Sequence, residues 1–109
     1  MMNTGDIILV PFPFAELTNK KVRPSVVVCE TKDKYKDLVV CAISSVVPSI
    51  LSDNEFLLKP NHVNKLRADS VVKVDRIVTV KGRDVIARIG KLEMESLAMF
   101  TEKFKQLVD

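Results

Sequence analysis

The chain has 109 residues, 47% hydrophobic and 28% charged, with a formal net charge of +3. That is the length and balance of one globular domain with one core, and the mild positive charge is compatible with a nucleic-acid partner without demanding one. No apolar run approaches the roughly 20 residues of a membrane span, and one histidine with two separated cysteines cannot supply a zinc site of normal ligand count.

The N-terminus, Met1–Asp6, has no basic region and no signal-like apolar stretch, so a cytosolic chain is expected, with no membrane partner and no metal or cofactor. Cys29 and Cys41 both lie inside apolar runs and are expected as buried, reduced thiols.

Asp6–Val10 reads as a strand opened by Gly5, and Phe12–Lys21 as a loop following Pro11 and containing Pro13. Next comes Asn19–Cys29, which places Arg23 directly before Pro24. Proline suits the first residue of a strand, where its missing N–H breaks no ladder, and the residue before it is biased to extended geometry. Arg23 is therefore expected at the mouth of the β-branched run Ser25–Glu30, facing the apolar loop. An anchored cation in that position suits an anion, and it also suits a plain solubilised strand start. Thr31–Asp37 is a charged turn, Leu38–Ser44 a strand, and Val46–Asn54 a loop. Glu55–Lys59 is a short extended piece stopped by Pro60, and Asn61–Asp69 is polar with at most one helical turn. Ser70–Asp75 and Arg76–Val80 read as two apolar runs with a bend between them. Gly82 makes a tight turn, and Val85–Ile89 is a last strand ended by Gly90. Leu97, Phe100, Phe104, Leu107 and Val108 then recur at helical spacing, in a helix starting near Glu93 with acidic residues at its positive end.

Roughly seven short strands and a terminal helix predict a mainly β domain, a small barrel or sandwich. The runs Ile7–Val10, Val26–Cys29 and Leu38–Ile43 are apolar at consecutive positions. A strand with one wet face alternates, so continuous apolarity means that both faces are covered. The helix accounts for one covered patch and a second subunit for another, so a homodimer is expected.

Gly5-Asp6-Ile7, Pro11-Phe12-Pro13-Phe14, Lys21-Val22-Arg23-Pro24, Ala42-Ile43-Ser44-Ser45, Leu66 through Ser70-Val71-Val72, and Ile89-Gly90-Lys91-Leu92 stand in the order and spacing of the MazF/PemK toxins, and the chain resembles that family along essentially its whole length. The resemblance implies an SH3-like barrel with a C-terminal helix, paired as a homodimer. It implies a sequence-specific, metal-independent endoribonuclease that cuts single-stranded RNA, leaving a 2′,3′-cyclic phosphate and a 5′-hydroxyl. It also implies a cognate antitoxin whose C-terminal segment lies across the dimer and blocks the RNA groove. Arg23 matches the family's arginine. Ser44, followed by Ser45, stands where threonine followed by serine is usual. Lys73 and Asp75 stand where some members carry a catalytic arginine and aspartate. The histidine that some members carry after the first strand has no counterpart here; His62 lies elsewhere.

Cleavage through a cyclic phosphate needs a group that takes the 2′-hydroxyl proton, charge to stabilise the transition state, and a proton for the departing 5′-oxygen. Arg23 suits the second task, because guanidinium matches phosphate oxygens in pairs, and it is too basic for the first. Ser44 suits orienting the phosphate, and Asp75 suits the base or a hydrogen bond at a strand end. Phe12 and Phe14 suit base stacking or core filling, and Tyr35 is a further aromatic candidate. Lys20, Lys21, Ser45 and Lys73 are the remaining expected RNA contacts. Two readings compete: a non-enzymatic inhibitor of DNA gyrase on the same fold, as in the CcdB branch, and a degenerate member that binds RNA or protein without cutting.

Overall fold

Successive side chains of a strand point to opposite faces, and here both faces are apolar because the chain covers both. The computed structural model describes residues 2–13 and 20–108, with Pro13 and Lys20 as backbone alone. Its strands are β1 (Asp6–Pro13), β2 (Lys20–Glu30), β3 (Leu38–Ser44), β4 (Glu55–Leu58), β5 (Ser70–Val80) and β6 (Ala87–Lys91), followed by helix α1 (Met94–Gln106). They form one antiparallel sheet in the order β4-β5-β3-β2-β1-β6.

One face carries Ile7, Val26, Cys41, Ile43, Phe56, Val72 and Val74, and packs against α1 through Phe100, Leu97 and Phe104. Phe100 is fully buried, a burial that stabilises by roughly 2 kcal/mol. The other face carries Ile8, Val10, Phe12, Val27, Val40 and Val80 in a second core. β1 and β5 are not neighbours in the sheet, yet Val10 and Val80 share this core. The sheet therefore curls into a half-barrel, with register shifts at Ile7/Ile8, Val27/Cys29 and Cys41/Ala42 supplying the bends. Ile7 and Ile8, or Val26 and Val27, thus serve two cores in turn. The consecutive apolar residues are explained within one chain, without a second subunit.

Several expectations change. Phe12 lies in β1 and Lys21 in β2, paired directly with each other, where a loop was expected. Pro24 is not the first residue of its strand; it sits inside β2 opposite Leu9. It is tolerated there because β2 pairs with β3 only from Ser25 onward, which leaves Pro24 on an edge. Arg23 is accordingly a mid-strand residue, opposite Val10. Ser70–Val80 is one strand, so the sheet has six strands where seven were expected. The last strand runs Ala87–Lys91 with Gly90 inside it. A Cβ on Gly90 would meet Val63 O at 2.5 Å and Asn64 O at 2.6 Å, so the backbone of the loop before β5 lies flat on β6. That loop contains no helix. Asn61 Oδ1 accepts from the N–H groups of Val63 and Asn64, and buried Asn64 bonds Asn61, Leu66 and Lys59.

Cys41 is buried as expected, but Cys29 is exposed, because the bulge at Val28 turns it outward; both thiols are free. Among the described residues no helix is long and apolar enough to cross a membrane.

Candidate functional site

A cleft opens where β2 and β3 part. Their ladder runs from Glu30 opposite Leu38 to Ser25 opposite Ala42 and then ends. β2 continues on β1 as far as Lys20 opposite Pro13, and β3 continues on β5 as far as Ser44 opposite Val71. The gap between the two ribbons is a cavity of about 370 Å³. Phe12 and Arg23 line it from the β1–β2 side, Ala42 to Ser44 from β3, and Lys73 with Asp75 to Val78 from β5.

Arg23 and Ser44, read from motifs 21 residues apart in sequence, line the same cavity as Asp75. Arg23 is half-buried on the β2 wall. Ser44 Oγ accepts the Val46 N–H at 3.1 Å, which fixes the side chain and leaves its own O–H able to donate into the cavity. Phe12 is only 5% exposed and belongs to the second core, so its ring is the floor of the cleft and not an open stacking surface.

Lys73 lines the cleft, but its Nζ donates to Glu55 Oε2 at 2.7 Å, directly across the β4–β5 ladder. The Lys73 hydrogen bond, with the Ser52 N–H, holds the Glu55 carboxyl below the usual carboxylate range. Lys21 and Ser45 are exposed and do not line the cavity. Phe14 lies outside the described residues, and of Lys20 only the backbone is described. His62 is an exposed loop residue away from the cleft, and Tyr35 is 67% exposed in the turn after β2, with the Lys34 ammonium 5.2 Å from its ring centre.

One charged lining residue escapes sequence reading. Arg76 follows Asp75 on β5, and both are exposed in the cleft. The register explains their adjacency. Cys41 pairs with Ile77 and the next residue, Ala42, pairs with Lys73, so Val74, Asp75 and Arg76 face no β3 residue. Val74 points into the core, its N–H donating to Asn54 O at 2.9 Å and its carbonyl accepting from Cys41 Sγ at 3.3 Å. Burial, with the nearby charge of Asp75 acting in the same direction, pushes the Cys41 thiol up to about 12. The signal in the sequence is Asp75-Arg76, consecutive charges inside an apolar strand pattern, which reads only as a bend.

Ser25, fully buried at the last β2–β3 pair, has no hydrogen-bond partner for its Oγ among the described residues. Among those residues no three His, Cys, Asp or Glu side chains gather closely enough to hold a metal ion.

A second groove lies between β4 and α1. Leu51, Leu57 and Met99 form its exposed apolar part, and Glu55, Glu95 and Glu102 its acidic part.

Comparison with known proteins gives a consistent result. The sequence profile described as PemK-like, MazF-like toxin of type II toxin–antitoxin system matches residues 3–108. No curated protein matches the chain. Among solved structures, the toxin MazF-mt6 of Mycobacterium tuberculosis superposes with a TM-score of 0.69 at 20% identity, covering 95% of this chain and 96% of that one. MazF of Deinococcus radiodurans superposes with a TM-score of 0.71 at 19% identity, covering 98% and 96%. An endoribonuclease from a mycobacterial species, solved in complex with its cognate antitoxin, superposes with a TM-score of 0.75 at 12% identity, covering 99% and 95%. At these identities the superpositions establish the fold.

Proposed function

Because this chain belongs to the PemK-like, MazF-like toxin family of type II toxin–antitoxin systems, we propose that it is a metal-independent endoribonuclease that cuts single-stranded messenger RNA at chosen sequences. The observation that carries this reading is the gathering of Arg23, Ser44 and Asp75 in one cleft. The Arg23 guanidinium pairs with two oxygens of the scissile phosphate and stabilises the charge that builds on them. Ser44 donates its O–H to a phosphate oxygen and fixes the angle of attack. The RNA supplies the nucleophile: the 2′-oxygen bonds to phosphorus, its proton passes to the Asp75 carboxylate, and the phosphorus–5′-oxygen bond breaks. The departing oxygen takes a proton from solvent, leaving a 2′,3′-cyclic phosphate and a 5′-hydroxyl.

The active form is a homodimer in the cytoplasm. Val46, Val47, Ile50, Leu51, Leu57 and Met99 leave an apolar surface outside both cores, and a second copy removes it from water. A cognate antitoxin segment competes with RNA for the cleft; a toxin-fold neighbour solved with its antitoxin supports the pairing.

The test is incubation of the pure protein with a long single-stranded RNA in chelator, followed by mapping of the ends. Discrete cuts with cyclic phosphate ends are expected. Intact RNA together with poisoned gyrase would overturn the reading in favour of a gyrase inhibitor.

A further inference from the structure

We infer that Arg76, and not Lys73, is the second phosphate-binding cation of the cleft, taking an RNA phosphate beside the one held by Arg23. This rests on the ribonuclease reading above and assigns a residue that the family resemblance does not point to.

Three observations carry it. The first is that Lys73 is committed elsewhere. Its ammonium sits 2.7 Å from Glu55 Oε2 in a directly opposed cross-strand pair, with side-chain exposures of 28% and 11%. Contacting a phosphate would take Lys73 from a half-buried carboxylate and leave that carboxylate without its main partner. Charge-assisted pairs are broken at such cost only for a stronger one, and a single phosphate offers about the same charge.

The second is that the bulge aims Arg76 at the cleft. Val74 is held in the core by Asn54 O and Cys41 Sγ, so the unpaired segment cannot flatten against β3. The two residues after it are forced outward together, and both line the cavity. Among the described residues no carboxylate lies within ion-pair distance of Arg76.

The third is position. Arg23 stands on the β2 wall and Arg76 on the β5 wall. Two guanidiniums on opposite walls suit a strand of RNA threaded between them. The carboxylate of Asp75, next to Arg76 in the chain, remains available for the 2′-hydroxyl.

The experiment uses the full chain and a single-stranded RNA carrying a 2′-deoxy nucleotide at the mapped cut site, which binds and cannot be cleaved. Binding is measured over a salt series, and cleavage of the all-ribose RNA is measured in parallel. Arg76→Ala is expected to reduce the slope of log affinity against log salt by about 0.7, one single-strand phosphate contact. It is also expected to lower kcat/KM about tenfold or more, mostly through KM, with Tm unchanged. Arg76→Lys restores the slope. Lys73→Met, which orphans Glu55, lowers Tm and reduces the slope less than Arg76→Ala does.

An Arg76→Ala protein with the wild-type slope and wild-type kcat/KM overturns the inference while leaving the ribonuclease reading intact. So does a larger slope change in a folded Lys73→Met protein. Wild-type protein that neither binds nor cuts the RNA overturns both.

Discussion

From Ser25 to Glu30, strand β2 pairs with β3, and Val26 and Val27 there are fully buried. From Lys20 to Pro24 it pairs with β1 alone, and Val22 is half exposed. The backbone is extended throughout; the difference is the presence of a second neighbour. Where β3 stays alongside, β2 divides its side chains between two cores. Where β3 departs, the same strand presents Arg23 to a cavity. A site made in this way inherits the rigidity of the sheet without occupying its core, so chemistry and stability should be separable by mutation along a single strand.

The largest expected effect is on the cleft half. Arg23→Ala should lower kcat/KM for RNA cleavage about 100- to 1,000-fold, the usual scale for removing one transition-state donor. Its melting temperature should stay close to that of the wild type. Near-normal cleavage by a folded Arg23→Ala protein would break the comparison outright.

The core half should answer the other way. Val26→Ala removes two buried methyl groups and should destabilise by roughly 2 kcal/mol in a denaturant titration. Cleavage per folded molecule should stay within a few-fold, and a loss matching that of Arg23→Ala would mean that the two halves are not independent.

A smaller effect sharpens the boundary at β4–β5. The Glu55 carboxyl is held below its ordinary value by Lys73 and by the Ser52 N–H, so the unfolded chain binds its proton more readily than the folded one. Its contribution to stability is therefore present above the ordinary carboxylate pKa and is lost as pH falls through the lowered folded value. Glu55→Gln should lower Tm at neutral pH, and the gap from wild type should close on acidification. A gap independent of pH would show that the pair does not act through charge.

The smallest effect concerns the bulged part of β2. Cys29 is exposed and Cys41 is buried, with its thiol pushed up to about 12. A thiol reagent at pH 8 should modify one cysteine in the native protein and two after denaturation, without altering the fold. Modification of both in the native state would contradict the burial of Cys41.

The parts of this molecule legible in sequence are those whose pattern is local. Leu38–Ser44 reads to its last residue because a charged turn and a polar loop bound it, and α1 reads because Leu97, Phe100 and Phe104 recur on one stripe. The prolines mislead until the sheet is known. Pro11 and Pro13 lie beyond the end of β6, and Pro24 beyond the end of β3, each where its strand has a single neighbour. They signal the margin of a ladder and not the end of a strand.

Arg23 and Ser44 can be singled out as motifs, but nothing in sequence places them in one cavity. That depends on where β2 and β3 stop pairing. Arg76 is less legible still, because the atoms that hold its bulge, Asn54 O and Cys41 Sγ, come from distant segments. The fate of Lys73 is hidden for the same reason, since Glu55 lies 18 residues away.

The close approach of Gly90 to the 63–64 backbone has a further consequence. Beside it the Lys91 N–H donates to Val63 O at 3.1 Å, so the loop occupies part of the outer rim of β6, while the opposite border, β4, is only four residues long. A rim partly bonded by its own chain offers fewer free backbone groups to a second sheet, and so does a rim only four residues long.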